Sequence, residues 1–365
     1  MKEDAITGRQ LFTLIFMAQL GSEVLSISHA EAEVAGHDTW LAALLSGLCA
    51  QAGIMLIWWL GSRYPARNYF AYVPQIVGRP IGACVNFIYG CYYAFSGCLL
   101  IMNYADVLNR LLLVFTPRWI LVLMLLIACG YAATLSLKKL AFVTQSYLPL
   151  AVVSFLLIVF TGNYGLDMKN LLPVLPSGWN PVIKGIYVAF SSYVGYDLLL
   201  YAFPYVKTKS KKRLLLVMTL ANGTAIFYYV AVCLICTTMF SLKQLEEIPE
   251  PLIFILKYYH IELLQSLDIL FLIFYICIVS DTVYVYFFLS AKAFLHLRSR
   301  GLGRQQVWVW SMIGLAFIGS LFVKKRASII QVLNFQDKLS IILIVALPIV
   351  LLIISGLRGT RRSRA

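Results

Sequence analysis

Ten apolar runs of about twenty residues recur along this chain, each long enough to cross a hydrocarbon core of about 30 Å as a helix. They fall near residues 9–33, 39–61, 79–112, 117–136, 141–162, 181–206, 213–240, 262–294, 306–323 and 337–357. In a bilayer the backbone has no water to bond with, so runs of this kind are restricted to helices that satisfy their own polar groups. The third and eighth are the longest and predict tilted helices. A water-soluble domain is about 45–50% apolar; here 61% of the residues are hydrophobic, 13% are charged and the mean hydropathy is +0.83. The 365 residues therefore read as a single all-α, polytopic transmembrane domain.

Cytoplasmic loops hold the excess of Lys and Arg, which sets the orientation. With both termini inside, twenty of the 30 basic residues lie on the inner side. Lys324, Lys325 and Arg326 then sit on the outer side, against the rule. The net charge of +14 is strung through short loops and forms no basic domain, which argues against a nucleic-acid partner. The apolar runs also contain all eight cysteines. Cys233 and Cys236 have no second pair, so neither a disulfide framework nor a metal centre is implied. Met1 to Gly8 is short and polar, and no cleavable leader is expected. Gly82, Asn86, Gly90, Ala94 and Cys98 form a stripe of small residues suited to close helix packing.

Polar residues at membrane depth single out four spans. The sixth carries Ser191, Ser192, Tyr193, Val194, Gly195, Tyr196 and Asp197 at its centre. Backbone that leaves the helix at that depth is tolerated where protein or a wet cavity satisfies it, so this insert reads as the lining of a site. The first span holds Gln19, Gly21, Ser22 and Glu23, followed by Ser26, Ser28, His29, Glu31 and Glu33. An ionised carboxylate at a helix centre costs about 3 kcal/mol, so Glu23 is expected to face a cavity, a cation or a proton.

Spans one and six lie five crossings apart. Residues 1–162 and 163–357 therefore read as two five-helix repeats of inverted orientation, with 358–365 as a basic cytoplasmic tail. Interrupted helices at matching positions of two such halves point to a substrate site at their interface. Half-helix N-termini there offer free N–H groups to an anion such as a carboxylate. Span three adds Tyr92, Tyr93 and Ser96, and span eight adds Asp268 and then Ser280, Asp281 and Thr282. Glu23, Asp197 and Asp281 are each suited to hold an amino group, bind a cation or relay a proton; inter-helix hydrogen bonding is the structural alternative. No nucleotide loop, hydrolase elbow or zinc spacing occurs, so neither enzymatic catalysis nor a cofactor is expected.

The opening Ile6-Thr-Gly-Arg9-Gln10, the run from Gln19 to Trp40, and the tract from Asn170 through Gly195-Tyr-Asp197 to Phe203-Pro204-Tyr205-Val206 resemble the B subunit of bacterial spore germinant receptors. The likeness covers nearly the whole chain. That family is similar to the amino acid–polyamine–organocation transporters and implies a LeuT-like fold of ten transmembrane helices, a 5+5 inverted repeat with spans one and six interrupted. It also implies a spore inner-membrane subunit that recognises a small-molecule germinant, usually an amino acid or sugar. Its partners would be an A subunit, integral to the membrane, and a C subunit, a lipoprotein. The ligand pocket so implied comprises Gly21 and its neighbours, Ser192 to Tyr196, and Ser280 to Thr282. The chain departs from the pattern in places. Glu23 replaces the second glycine of the family's Gly-x-Gly, Ile27-Ser28 replaces Leu-Pro, and Gln265-Ser266 precedes Asp268 where relatives carry Glu-Arg. The residues that usually loosen the first helix are thus missing here. Three readings remain open: a sensing subunit, a proton- or cation-coupled amino acid permease using the same pocket, and a scaffold that binds nothing.

Overall fold

The computed structural model describes residues 4–162, 165–208, 210–258, 267–297, 304–323 and 325–357. The Gln265-Ser266 departure, Lys324 and the 358–365 tail therefore lie outside the described residues. The described chain is helical except for one short parallel pairing, in which β1 (Ile6–Thr7) lies on β2 (Val206–Lys207) with Ile6 opposite Val206 and Thr7 opposite Lys207. That pairing ties the start of the first helix to the end of the sixth apolar run.

Seven helices among the described residues are long and apolar enough to cross a membrane. The bent pair 179–193 and 198–205, whose axes differ by 44°, makes an eighth if counted as one span. Two runs fall short of this measure for physical reasons. The first is cut into α1 (Gly8–Gln19) and α2 (Ile27–Ala35), and α1 rises only about 18 Å. A turn at Gly36–Asp38 joins α2 to α3 (Thr39–Arg63). The fourth run forms α6 (Arg118–Ala133), of 16 residues.

Around these stand α4 (Tyr69–Val77), α5 (Arg79–Leu111), α7 (Leu137–Gly162), α8 (Trp179–Phe190), α9 (Leu198–Ala202) and α10 (Lys211–Met239). Two short helices follow, α11 (Leu242–Glu247) and α12 (Pro251–Tyr258), and then α13 (Leu267–Leu295) and α14 (Gln305–Phe322). The last run begins earlier than its hydropathy predicts. Residues 326–336 continue as helix α15 (Arg326–Ser340), which passes through a π-helical segment, Ile341–Ala346, into α16 (Leu347–Leu357).

The interior is built on two long pairings, α5 with α13 and α3 with α10, with α1 against α10 and α8 against α3. The small-residue stripe of α5 serves this packing: Gly82 lies under Pro74, Asn86 donates to the Phe70 carbonyl at 2.9 Å, and Gly90 lies against the Phe294 ring. Outward faces carry large apolar side chains, among them Met124, Phe160, Phe227 and Leu315. Apolar area exposed on this scale is suited to lipid rather than water.

One end of the bundle is drawn together by charge. Glu250, ahead of α12, accepts from Arg110 at 2.6 Å and from Arg326 at 3.0 Å, and Asp106 pairs with Arg110 at 2.9 Å and with Arg118 at 3.8 Å. Arg326, one of the three basic residues that break the charge rule, is thus neutralised by carboxylates at its own end of the molecule.

Candidate ligand site at the junction of two helix breaks

Thr7 caps α1 in a capping box with Gln10, and the helix ends at Leu20. Gly21 is extended, Ser22–Leu25 make a 3₁₀ turn, and α2 resumes at Ile27. Neither a second glycine nor a proline opens this break; donors from other helices hold it instead. Tyr275 of α13 donates to the carbonyls of Leu20 and Gly21 at 3.0 and 2.9 Å. Tyr229 of α10 donates to those of Gln19 and Ser192 at 2.8 and 3.0 Å. The hydroxyl of Thr282 lies 3.4 Å from the Met17 and Ala18 carbonyls. Carbonyls released from a helix in a dry interior are costly unless paired, and these side chains pair them.

The second break mirrors the first. After α8, Ser191–Tyr193 form a 3₁₀ turn, Val194 is extended and Gly195 has φ +132°. A Cβ on Gly195 would lie 2.5 Å from the Ala18 carbonyl oxygen, so the two breaks touch backbone to backbone where only glycine fits. The side chain of Gln19 bridges them, donating to the Tyr193 carbonyl at 2.9 Å and to Asn222 at 3.0 Å. The Asp197 carboxylate accepts from the Gly195 N–H at 3.0 Å and closes the turn from within.

Two connected hollows lie against this junction. A small one of about 20 Å³ is bounded by Gly21, Glu23, Ser191, Ser192, Val194 and Thr282, together with Tyr286 and Asp337. The larger, about 400 Å³, shares Glu23, Ser191, Ser192 and Asp337, adds Ser22, and rises past Asn103 and Asn334 to Glu250 and Arg326. That volume lies within the range of small-molecule pockets.

Of the residues singled out from sequence, Gly21, Ser22, Glu23, Ser26, His29, Glu33, Ser191, Ser192, Val194 and Thr282 are brought together on these walls. The others stand behind them. Tyr193 donates to the Ala43 carbonyl at 2.9 Å, Tyr196 packs on Gly53, and Gly195 and Asp197 shape the turn. Tyr93 lies beside Asp197, and Ser96 is buried on α5. Ser280 is partly buried on α13 and offers its carbonyl to Cys129. Asp281 is wholly buried and accepts from Thr144 at 2.5 Å and from Tyr284.

Sequence reasoning missed Asp337, Asn334 and Arg326 as wall residues, because Asn334 and Arg326 fell in the loop ahead of the last apolar run and Asp337 was only the first residue of that run. It also missed Tyr229, Tyr275 and Tyr286, aromatics inside apolar runs that look like lipid-facing or core filler. A carboxylate beside Asn334 and Gln336, at the head of a run otherwise fit to span, was the available signal.

Residues 5–329 match the model of a family described as Spore germination protein. The chain belongs to that family. Spore germination protein YndE of Bacillus subtilis (strain 168) is 22% identical over 363 residues, 97% of each chain. Spore germination protein GerQB of Bacillus cereus is 24% identical over 361 residues, 96% of each. Among solved structures, MhsT in complex with L-phenylalanine superposes with a TM-score of 0.62 at 13% identity, covering 96% of this chain and 89% of that one. At that identity the shared property is the fold, which is LeuT-like. This spore germination protein is accordingly a multi-pass membrane protein, of a family whose type is receptor or permease.

Proposed function

We propose that this chain is the nutrient-sensing subunit of a spore germination receptor, and that it binds a small-molecule germinant, an amino acid or similar compound, where the two breaks meet. The observation that carries the reading is the roughly 400 Å³ hollow lying against both breaks, in a fold that holds L-phenylalanine in MhsT. In this reading α1 with α2 forms the first of ten crossings, α8 with α9 the sixth, and α15 with α16 the tenth. The crossings make two inverted sets of five, with both termini cytoplasmic and the chain in the spore inner membrane. Occupation of the hollow shifts the bundle between two states, and the integral A subunit and the lipoprotein C subunit pass the shift on. A complete switch requires the ligand to favour one state by about 5.5 kcal/mol.

The test is calorimetric titration of the purified chain with a panel of amino acids and sugars, repeated on Ser192→Trp, which fills the hollow. A compound should bind the native chain, and the variant should lose it by at least a hundredfold; unchanged affinity in Ser192→Trp removes the site.

Asp281 favours a second reading. It is a buried carboxylate joined to Thr144 and Tyr284 and adjacent to Thr282, which reaches the α1 carbonyls, so it is placed to couple a proton to movement at the break. Under that reading the chain is a coupled amino acid permease. Sustained accumulation of labelled ligand in proteoliposomes supports the permease, and binding without uptake supports the sensor.

A further inference from the structure

The small hollow has an unusual charge. Two of its walls are carboxylates, Glu23 from the first break and Asp337 from α15, and none of its lining side chains is cationic. Both acids border the one hollow of about 20 Å³, so their charges oppose, with the Ser191 hydroxyl beside Asp337. Neither takes part in an ion pair among the described residues, whereas Arg326, farther out, is already paired with Glu250 and Asp106. Like charges held together away from water repel strongly, and an arrangement of this kind persists where a cation or a proton offsets it.

A second observation points to a guest rather than to a proton alone. Ser192 and Tyr286 also line this hollow; they are only 6% and 4% exposed, and their hydroxyls make no hydrogen bond among the described residues. Thr282, on the same wall, meets its carbonyl partners only at 3.4 Å. Polar groups of nearly buried residues usually find a partner, and these two residues line the same hollow as the two carboxylates. The volume of about 20 Å³ admits one group the size of water or ammonium. Anything larger must extend into the 400 Å³ hollow above.

We infer that Glu23 and Asp337 form an ammonium subsite and that the ligand is a net-cationic amine, a diamine or a basic amino acid. One charged nitrogen seats between the two carboxylates, with Ser192 and Tyr286 as further acceptors, and the remainder of the molecule occupies the outer hollow. Against the two site carboxylates a diamine balances both charges and a basic amino acid leaves one negative charge over, whereas a neutral amino acid leaves two and an acidic one three. Asp337 lies on the last helix, beyond residues 5–329, the part matched by the family model. The inference rests on the junction of the breaks being the ligand site.

The test uses the full chain in lipid nanodiscs, titrated with cadaverine, L-lysine, L-norleucine and L-glutamate. Lysine and cadaverine are expected to bind at least tenfold more tightly than norleucine, and glutamate least. Asp337→Asn and Glu23→Gln should each shrink the lysine-to-norleucine ratio at least tenfold, while Asp337→Glu, which keeps the charge, should hold it within about threefold. Ligand-free Asp337→Asn should melt no lower than the native chain, since one of two opposed charges has been removed. Equal affinity for lysine and norleucine overturns the inference, as does a ratio untouched by Asp337→Asn, or no binding of any probe. Norleucine binding that is lost in Ser192→Trp but indifferent to Asp337 leaves the ligand site standing and removes only the charge selection. Sodium or potassium chloride, compared with choline chloride, separates the remaining source of positive charge. Stabilisation by the metal ion that disappears in Asp337→Asn, without amine binding, assigns the pair to an inorganic cation and overturns the ammonium subsite.

Discussion

Gly195 is the residue at which the two halves of the site depend on a missing side chain. A Cβ there is strained at φ +132° and collides with the Ala18 carbonyl. The conformational strain alone costs about 1–3 kcal/mol. Gly195→Ala is therefore expected to lower the thermal midpoint and to weaken ligand binding together, which circular dichroism melts and calorimetry on one preparation would read. A variant that melts like the native chain would show that the breaks do not need this contact. Asp197 offers a sharper distinction. Its described role is to accept the Gly195 N–H, and asparagine retains that oxygen. Asp197→Asn should keep stability and binding near native levels while Asp197→Ala loses both; a loss of ion or proton dependence in Asp197→Asn would reassign this carboxylate to coupling.

At the scale of elements, the breaks in the first and sixth runs are held open by tyrosines of α10 and α13. Removing one hydroxyl leaves two helix-end carbonyls unpaired, at about 1–3 kcal/mol for a buried group. Tyr229→Phe affects both breaks and Tyr275→Phe only the first. Both are expected to weaken binding by tenfold or more, and Tyr229→Phe should do so the more severely. Equal and native-like affinities would mean that the breaks sustain themselves. A second element-level device closes the outer end of the larger hollow, where Glu250 gathers Arg110 of α5 and Arg326 of α15. Charge-assisted pairs of this kind add geometric constraint as well as energy. Glu250→Ala should speed ligand dissociation about tenfold with a smaller effect on association, measurable by stopped-flow release. The exchange Glu250→Arg with Arg326→Glu should recover part of the loss, and failure of both variants to alter release would leave the cluster without a gating part.

For the whole molecule, the proposed ten crossings place both termini and the loops carrying twenty basic residues on one side of the membrane. Single cysteines placed at Gly8 and Leu357 of a chain stripped of its native cysteines should react with an impermeant maleimide from the same side, and one at Lys243 from the other. Labelling of all three from one side would break the inverted arrangement.

The apolar runs were legible because lipid imposes its demand on each helix separately: length and hydropathy are properties of a single segment. The two interruptions were legible for the same reason, since serines, a glycine and acids at mid-run have no use toward lipid. Asp337 was not, because a polar helix start and a polar loop have the same composition until neighbouring helices decide which it becomes. Nor were Tyr229 and Tyr275, because a tyrosine in an apolar run declares its partner only when the fold brings a released carbonyl within reach. Sequence by itself determined the membrane-embedded helical architecture and marked the polar stretches, near residues 19–26 and 191–197, at which the helices of the structure end and resume. Tertiary structure decided which of the polar residues face a common hollow and which only brace the backbone behind it, because shared facing depends on how helices distant in the chain cross, and segment-by-segment chemistry does not contain that information.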